Sequence, residues 1–228
     1  PTLALIDPAT NRVVASIPVG SKPVAIAAGV GGIWVGDARD GTITRVDPET
    51  RKVVKTIGIG APVVDLATGL GGVWGATGGF GEVVRIDPGV GAVAQPIPLG
   101  EPEDPVVPSV PSVGVGDGRV WAGVPEGLAR IDPRSGEVVD TVDLDSTQAL
   151  QMAVGGGAVW VTTIANGTKR VEPSSARPTA EFYAGGWVYR VTLGGGAAWV
   201  GGLRGIAELN PDTGGSLSSS AQVKLVTG

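Results

Sequence analysis

Six acidic or amide residues, each followed by proline, recur along the chain: Asp7-Pro8, Asp47-Pro48, Asp87-Pro88, Asp132-Pro133, Glu172-Pro173 and Asn210-Pro211. Carboxylates in register are what a hard-cation site or a general acid–base pair would use. They would have to act without the usual helpers, because the 228 residues include no cysteine and no histidine. Disulfides, thiol nucleophiles, Cys/His zinc or iron sites and imidazole catalysis are excluded together. The pairs themselves read as turns: Asp at the first position accepts backbone N–H groups, Pro at the second fixes φ, and Thr10, Thr50, Ser135 or Thr213 follows as a hairpin expects. Asp37, Asp40 and Gly41 match a fragment of a calcium loop, but the spacing lacks the remaining ligands. No metal and no cofactor is expected.

The elements that position these turns follow from their spacing. The Asp-Pro-like pairs lie 40, 40, 45, 40 and 38 residues apart. An unrelated marker, a tryptophan after a Gly-rich turn, recurs at Trp34, Trp74, Trp121, Trp160 and Trp199, at intervals of 40, 47, 39 and 39. Each unit divides into four short apolar runs separated by Gly-Gly, Asp-Gly and Asp-Pro signals, for example 24–28, 33–36, 42–46 and 53–57. Four-stranded meanders repeated every forty or so residues predict an all-β fold, a β-propeller whose blades run from strand a (innermost) to strand d (outermost). Composition agrees: glycine (39) and proline (18) make a quarter of the chain, beside 42% apolar and 17% charged residues. That combination punctuates short strands and leaves no room for long helices.

Five complete blades are expected at about 23–60, 61–99, 106–144, 148–184 and 187–222, all in a single domain spanning residues 1–228. Residues 1–18 read as strands c and d of a sixth blade. Val223–Gly228 match Val64–Gly69 at four of six positions and read as its strand a, with strand b missing. Joining the two ends in one blade closes a ring and removes sheet edges. Seven blades are the alternative for a longer parent. A start at Pro1 and the absence of a signal peptide read as a piece excised from a larger protein.

Segments such as ALIDPATNRVVASIPVGSKPVAIAAGVGGIWVGD and TRVDPETRKVVKTIGIGAPVVDLATGLGGVWGA resemble bacterial YVTN-type propeller repeats, close to those of virginiamycin B lyase-like proteins. The resemblance covers nearly the whole chain. It is nearest to propellers fused behind actinobacterial, BTAD-containing regulators of the SARP type or behind signalling kinases. It implies a sensory or interaction module of a transcriptional or signalling regulator, cytoplasmic if joined to a DNA-binding domain and extracytoplasmic otherwise. The lyase-like family uses a histidine general base with acidic residues holding magnesium. With no histidine here, no catalytic residue carries over.

Candidate binding residues come from aligning the repeats. Four residues before the glycine that precedes each tryptophan by five stand Ala25, Asp65, Ser112, Gln151 and Arg190, with Lys224 at the same place in the sixth blade. This variable slot is followed by an apolar residue (Ile26, Leu66, Val113, Met152, Val191) and then a small or modest one (Ala27, Ala67, Gly114, Ala153, Thr192). The slots start equivalent inner strands, so Asp65, Ser112, Gln151, Arg190 and Lys224 are expected at one mouth of the central channel, with Trp187 and Tyr189 beside them. The proline-rich, acidic stretch 100–111 would form a rim.

The function read from this pattern is non-enzymatic binding of a small molecule or a protein partner. A lyase-like or hydrolytic enzyme using Asp65 with Glu103 or Asp104 is the rival, and a purely structural interaction scaffold a third class. Direct nucleic-acid binding by this domain is not expected, since 17 basic residues are scattered singly in a chain of net charge −5. No apolar span suggests membrane insertion.

Overall fold

The computed structural model describes residues 1–78, 81–99, 112–164, 167–183, 188–203, 205–210 and 216–218. Among the described residues all the regular structure is β. The first two strands, β1 (Thr2–Asp7) and β2 (Arg12–Pro18), pair only with each other among the described residues. Five four-stranded antiparallel meanders follow. Sheet 1 is β3 (Pro23–Gly29), β4 (Gly32–Asp37), β5 (Thr42–Asp47) and β6 (Lys52–Gly58); sheet 2 is β7 (Val63–Gly69), β8 (Gly72–Thr77), β9 (Glu82–Asp87) and β10 (Ala92–Pro98). Sheet 3 is β11 (Val113–Gly116), β12 (Arg119–Val124), β13 (Gly127–Ile131) and β14 (Val138–Asp143). Sheet 4 is β15 (Ala149–Gly155), β16 (Ala158–Thr163), β17 (Gly167–Glu172) and β18 (Arg177–Tyr183); sheet 5 is β19 (Val188–Gly194), β20 (Ala197–Gly202), β21 (Gly205–Leu209) and β22 (Ser216–Ser218).

Five complete four-stranded sheets therefore stand where six blades are expected. The segment assigned to the sixth blade's inner strand, Val223–Gly228, lies outside the described residues, as do 100–111. Contacts group the chain into two compact units, Pro1–Val113 and Gly114–Gly228.

Turn chemistry explains the strand ends. The a–b hairpins close on residue pairs that both have positive φ, such as Leu70 (φ 51°) with Gly71 (φ 75°) and Asp117 (φ 50°) with Gly118 (φ 73°). That is the primed geometry whose twist matches antiparallel strands, and glycine supplies it without strain. In the c–d hairpins Asp47 Oδ1 accepts N–H bonds from Glu49 and Thr50, both at 2.8 Å, and Asp7, Asp87 and Asp132 make equivalent bonds. The residue four positions on closes the loop to the aspartate carbonyl, as Arg51 does at 2.9 Å. The recurring carboxylates are turn locks.

Packing between sheets centres on the tryptophans. Trp34 joins Ile43 and Ile57 of its own sheet to Val63, Leu66, Val73, Val84 and Ile86 of the next. Trp121 likewise meets Ala149, Met152, Val159 and Val161, and Trp160 meets Val188, Val191 and Val200. Trp34, Trp74, Trp121 and Trp160 are fully buried, whereas Trp199 keeps 37% of its surface exposed. Equivalent burial of all five is the sequence expectation, and Trp199 departs from it because no described sheet follows sheet 5 to cover it.

Two predictions follow from this packing. Trp160→Ala should cost about 3–5 kcal/mol in a denaturant titration, through lost burial plus a cavity, and Trp199→Ala distinctly less. The second concerns acid. Backbone N–H bonds hold the carboxyls of Asp7, Asp47, Asp87 and Asp132 below the ordinary value of 3.8. Burial pushes Asp37 up, but bonds from the N–H groups of Asp40, Lys22, Arg39 and Ser21 outweigh it and leave it lowered. Groups depressed in the folded state add stability above their unfolded value, and that stability is lost as pH falls through the folded values. The urea midpoint should therefore decline as pH drops below about 4, and Asp37→Asn should make that decline shallower.

Candidate functional site

The slot residues owe their direction to a bulge. Strand a of four sheets carries one extra residue opposite strand b: Val24, Val64, Leu150 and Tyr189, marked by register breaks between Pro23 and Ala25, Val63 and Asp65, Ala149 and Gln151, and Val188 and Arg190. Such a bulge bends the strand and re-aims the side chains beside it. The slot is the next residue in every case.

Two slot side chains are committed to backbone. Asp65 Oδ2 accepts the N–H of Val113 at 3.0 Å, and its Oδ1 accepts that of Leu66 at 2.9 Å. Gln151 Oε1 accepts the N–H of Val191 at 2.9 Å, while its Nε2 donates to the Met152 carbonyl at 3.0 Å. Both oxygens reach the residue just after the next slot in sequence, so Asp65 adjoins Ser112 and Gln151 adjoins Arg190. The inner edge of strand a has no ladder partner, and these side chains satisfy part of it.

The remaining slots differ from one another. Ser112 is 2% exposed and its hydroxyl has no hydrogen-bond partner among the described residues. Ala25 offers no polar group. Arg190 is exposed and makes no hydrogen bond or ion pair with a described residue, and Tyr189, the bulge residue before it, is 48% exposed. Trp187 and Lys224 lie outside the described residues, as do Glu103 and Asp104. Sheet 5 thus presents an open aromatic and cationic pair where sheet 4 has a satisfied amide.

Other candidates are used up. Asp37, 1% exposed, accepts N–H bonds from Lys22, Arg39 and Asp40, and Asp40 accepts from the backbone and hydroxyl of Ser21. Backbone donors thus occupy this apparent fragment of a calcium loop. Among the described residues no group of three or more acidic side chains could hold a metal ion. Lys169 is nearly buried, a setting that can make a lysine nucleophilic by lowering its pKa. Burial does push it down, but Asp145 at 2.5 Å and Glu181 at 3.3 Å outweigh that and raise it, so it stays an ammonium.

Sequence reasoning missed an arginine latch. Arg45, Arg85, Arg130 and Arg170 are the cross-strand partners of Trp34, Trp74, Trp121 and Trp160. The guanidinium of Arg45 lies 5.3 Å from the Trp34 ring centre, that of Arg85 5.4 Å from Trp74, and that of Arg130 6.0 Å from Trp121. Arg45 also donates to the Pro88 carbonyl and Arg130 to the Pro173 carbonyl, both at 3.0 Å, binding the Asp-Pro or Glu-Pro turn of the following sheet. The available signal was an arginine two positions before four of the six such pairs. In sheet 5 that residue is Glu208, opposite Trp199.

No family model matches the chain, and no curated protein does. Solved structures do. Hydrazine synthase of Kuenenia stuttgartiensis superposes with a TM-score of 0.78 at 16% identity, over 92% of this chain and 71% of that one. The computationally designed Ika8 protein superposes with a TM-score of 0.73 at 17% identity, over 92% of this chain and 65% of that one. The fold is a β-propeller. The five sheets are its blades, and likeness at this identity extends to the fold alone.

The propeller's slot bonds are testable. Gln151→Leu keeps the side chain's bulk but orphans the Val191 N–H, and should cost about 1–3 kcal/mol in chemical denaturation. Gln151→Glu, which retains an acceptor, should recover most of the loss.

Proposed function

We propose that this propeller is a non-enzymatic binding module that takes an anionic or zwitterionic small molecule, or a protein partner bearing such a group, where the inner strands begin. The observation that carries the reading is the open Arg190 guanidinium beside the exposed Tyr189, at a slot whose counterpart Gln151 is tied to backbone. Arginine offers a planar fork to carboxylate or phosphate, and an adjoining phenol adds apolar area with a hydrogen-bonding tip. The similarity to YVTN-type, virginiamycin B lyase-like repeats supports placing the module in a bacterial transcriptional or signalling regulator, and the missing histidine supports a role without catalysis.

The same reading counts a sixth blade, whose described part is the β1–β2 pair.

One thermal-unfolding experiment tests the binding reading. Against a panel of carboxylates, phosphates and amino acids, at least one compound should raise the melting temperature by mass action. Arg190→Ala should abolish that rise and leave the unliganded melting temperature nearly unchanged. Shifts that survive Arg190→Ala would remove the binding reading.

A further inference from the structure

Every sheet ends on an outer strand, and most of these strands are poor templates for another. β10 carries Pro96 and β18 carries Pro178, each lacking a backbone donor, β2 closes on Pro18, and β22 spans 3 residues. β6 and β14 use none of these devices. Among the described residues β6, KVVKTIG, pairs with β5 alone, and β14, VVDTVD, with β13 alone. Each presents the backbone N–H and C=O groups of its outer edge to solvent.

The two edges share one sequence pattern with the charges reversed. Counted from their c–d turns, Lys52-Val53-Val54-Lys55-Thr56-Ile57 corresponds to Glu137-Val138-Val139-Asp140-Thr141-Val142, and Asp143 follows. Ile57 and Val142 are buried and hold each strand to its own sheet, whereas Val54 is 54% exposed and Val139 47%. Lys52, Lys55, Glu137 and Asp143 are exposed. Lys55 donates to the uncharged Val90 carbonyl, so its charge stays uncompensated, and Asp140 is paired with Arg130. Pairing β6 with a second β6, or β14 with a second β14, brings like charges together. Pairing β6 with β14 does the opposite in either direction. With Lys55 opposite Asp140, Lys52 stands opposite Glu137 in a parallel pair and opposite Asp143 in an antiparallel one. Charge defends an edge against its own kind, and the same charge attracts and selects an edge of opposite sign.

We propose that copies of this chain associate head to tail, the outer edge of β6 in one adding to the outer edge of β14 in the next. Backbone bonds supply affinity, the exposed valines an apolar contact, and the charges the choice of edge. The two edges are different surfaces, so the contact is heterologous, and a copy that has used β6 still has β14 to offer.

Sedimentation velocity on the whole chain, over a concentration series, tests this. Species larger than the monomer should grow with concentration and decline in about 1 M salt, where the screening length is about 3 Å. Lys52→Glu with Lys55→Glu makes both edges acidic, and Glu137→Lys with Asp143→Lys makes both basic. Each variant alone should associate at least about tenfold more weakly, and an equimolar mixture of the two should recover the association. The exchanged side chains are exposed, so both variants should fold, which circular dichroism and melting temperature verify. A second readout does not depend on charge. The chain has no cysteine, so a Val54→Cys chain mixed with a Val139→Cys chain should form the mixed disulfide faster than either homodisulfide. Arg190→Ala should associate unchanged, which separates these edges from the small-molecule reading. A chain that stays monomeric at every concentration, association indifferent to the charge exchanges, a mixture that fails to recover it, or no preference for the mixed disulfide overturns the proposal.

Discussion

The packing of this propeller depends on a tryptophan held, at Trp34 and Trp121, on two sides. Its own blade supplies an arginine across the b–c pair, and the next blade supplies the apolar residue after the slot. Aromatic burial provides the larger stabilisation, and the cation adds a contribution of about 0.5–2 kcal/mol at a desolvated ring. In two blades the arginine then spans the junction to a proline carbonyl. That bond joins the Asp-Pro turn, which looks like a local device, to the packing between sheets. The turn carboxylate fixes the loop, the loop aims its carbonyl, and the carbonyl receives the arginine that caps the tryptophan.

The inner strand faces a different demand. Its free edge must satisfy N–H groups that no ladder strand reaches, and a bulge turns the slot side chain toward that edge. Asp65 and Gln151 meet the demand with an oxygen placed on the neighbouring strand's backbone. A slot can therefore serve structure or solvent. Ala25 and Arg190 contribute nothing to the latch, for opposite reasons: one is too small, and the other is a donor where an acceptor is required.

How much of this the sequence discloses depends on range. The strands, the tryptophan register and the turn role of Asp7, Asp47, Asp87 and Asp132 are set within a few residues, and periodicity reveals them. The slot was legible as a variable polar position, and the structure places Asp65 and Gln151 at equivalent starts of inner strands. Their bonds to Val113 and Val191 were not legible, because they span 48 and 40 residues and depend on a one-residue bulge that no composition signals. The arginines escaped notice for another reason: an exposed-looking charge on a strand reads as a solvated face until its cross-strand neighbour is known to be tryptophan.

Departures from the repeat are where function has room. A side chain that packs a junction can change little without the cost of a cavity or an orphaned N–H, so the first four tryptophans and the bonded slots are held by stability alone. Ile26, Trp199, Arg190 and Tyr189 are released from that constraint, since among the described residues each lies where the repeating contact is absent. Glu208 replacing the latch arginine opposite Trp199 belongs to the same set: with less of the indole buried, a cation over its face stabilises less, and the position tolerates the opposite charge. A solvated guanidinium needs no partner, so at Arg190 neither packing nor a backbone bond fixes the residue type.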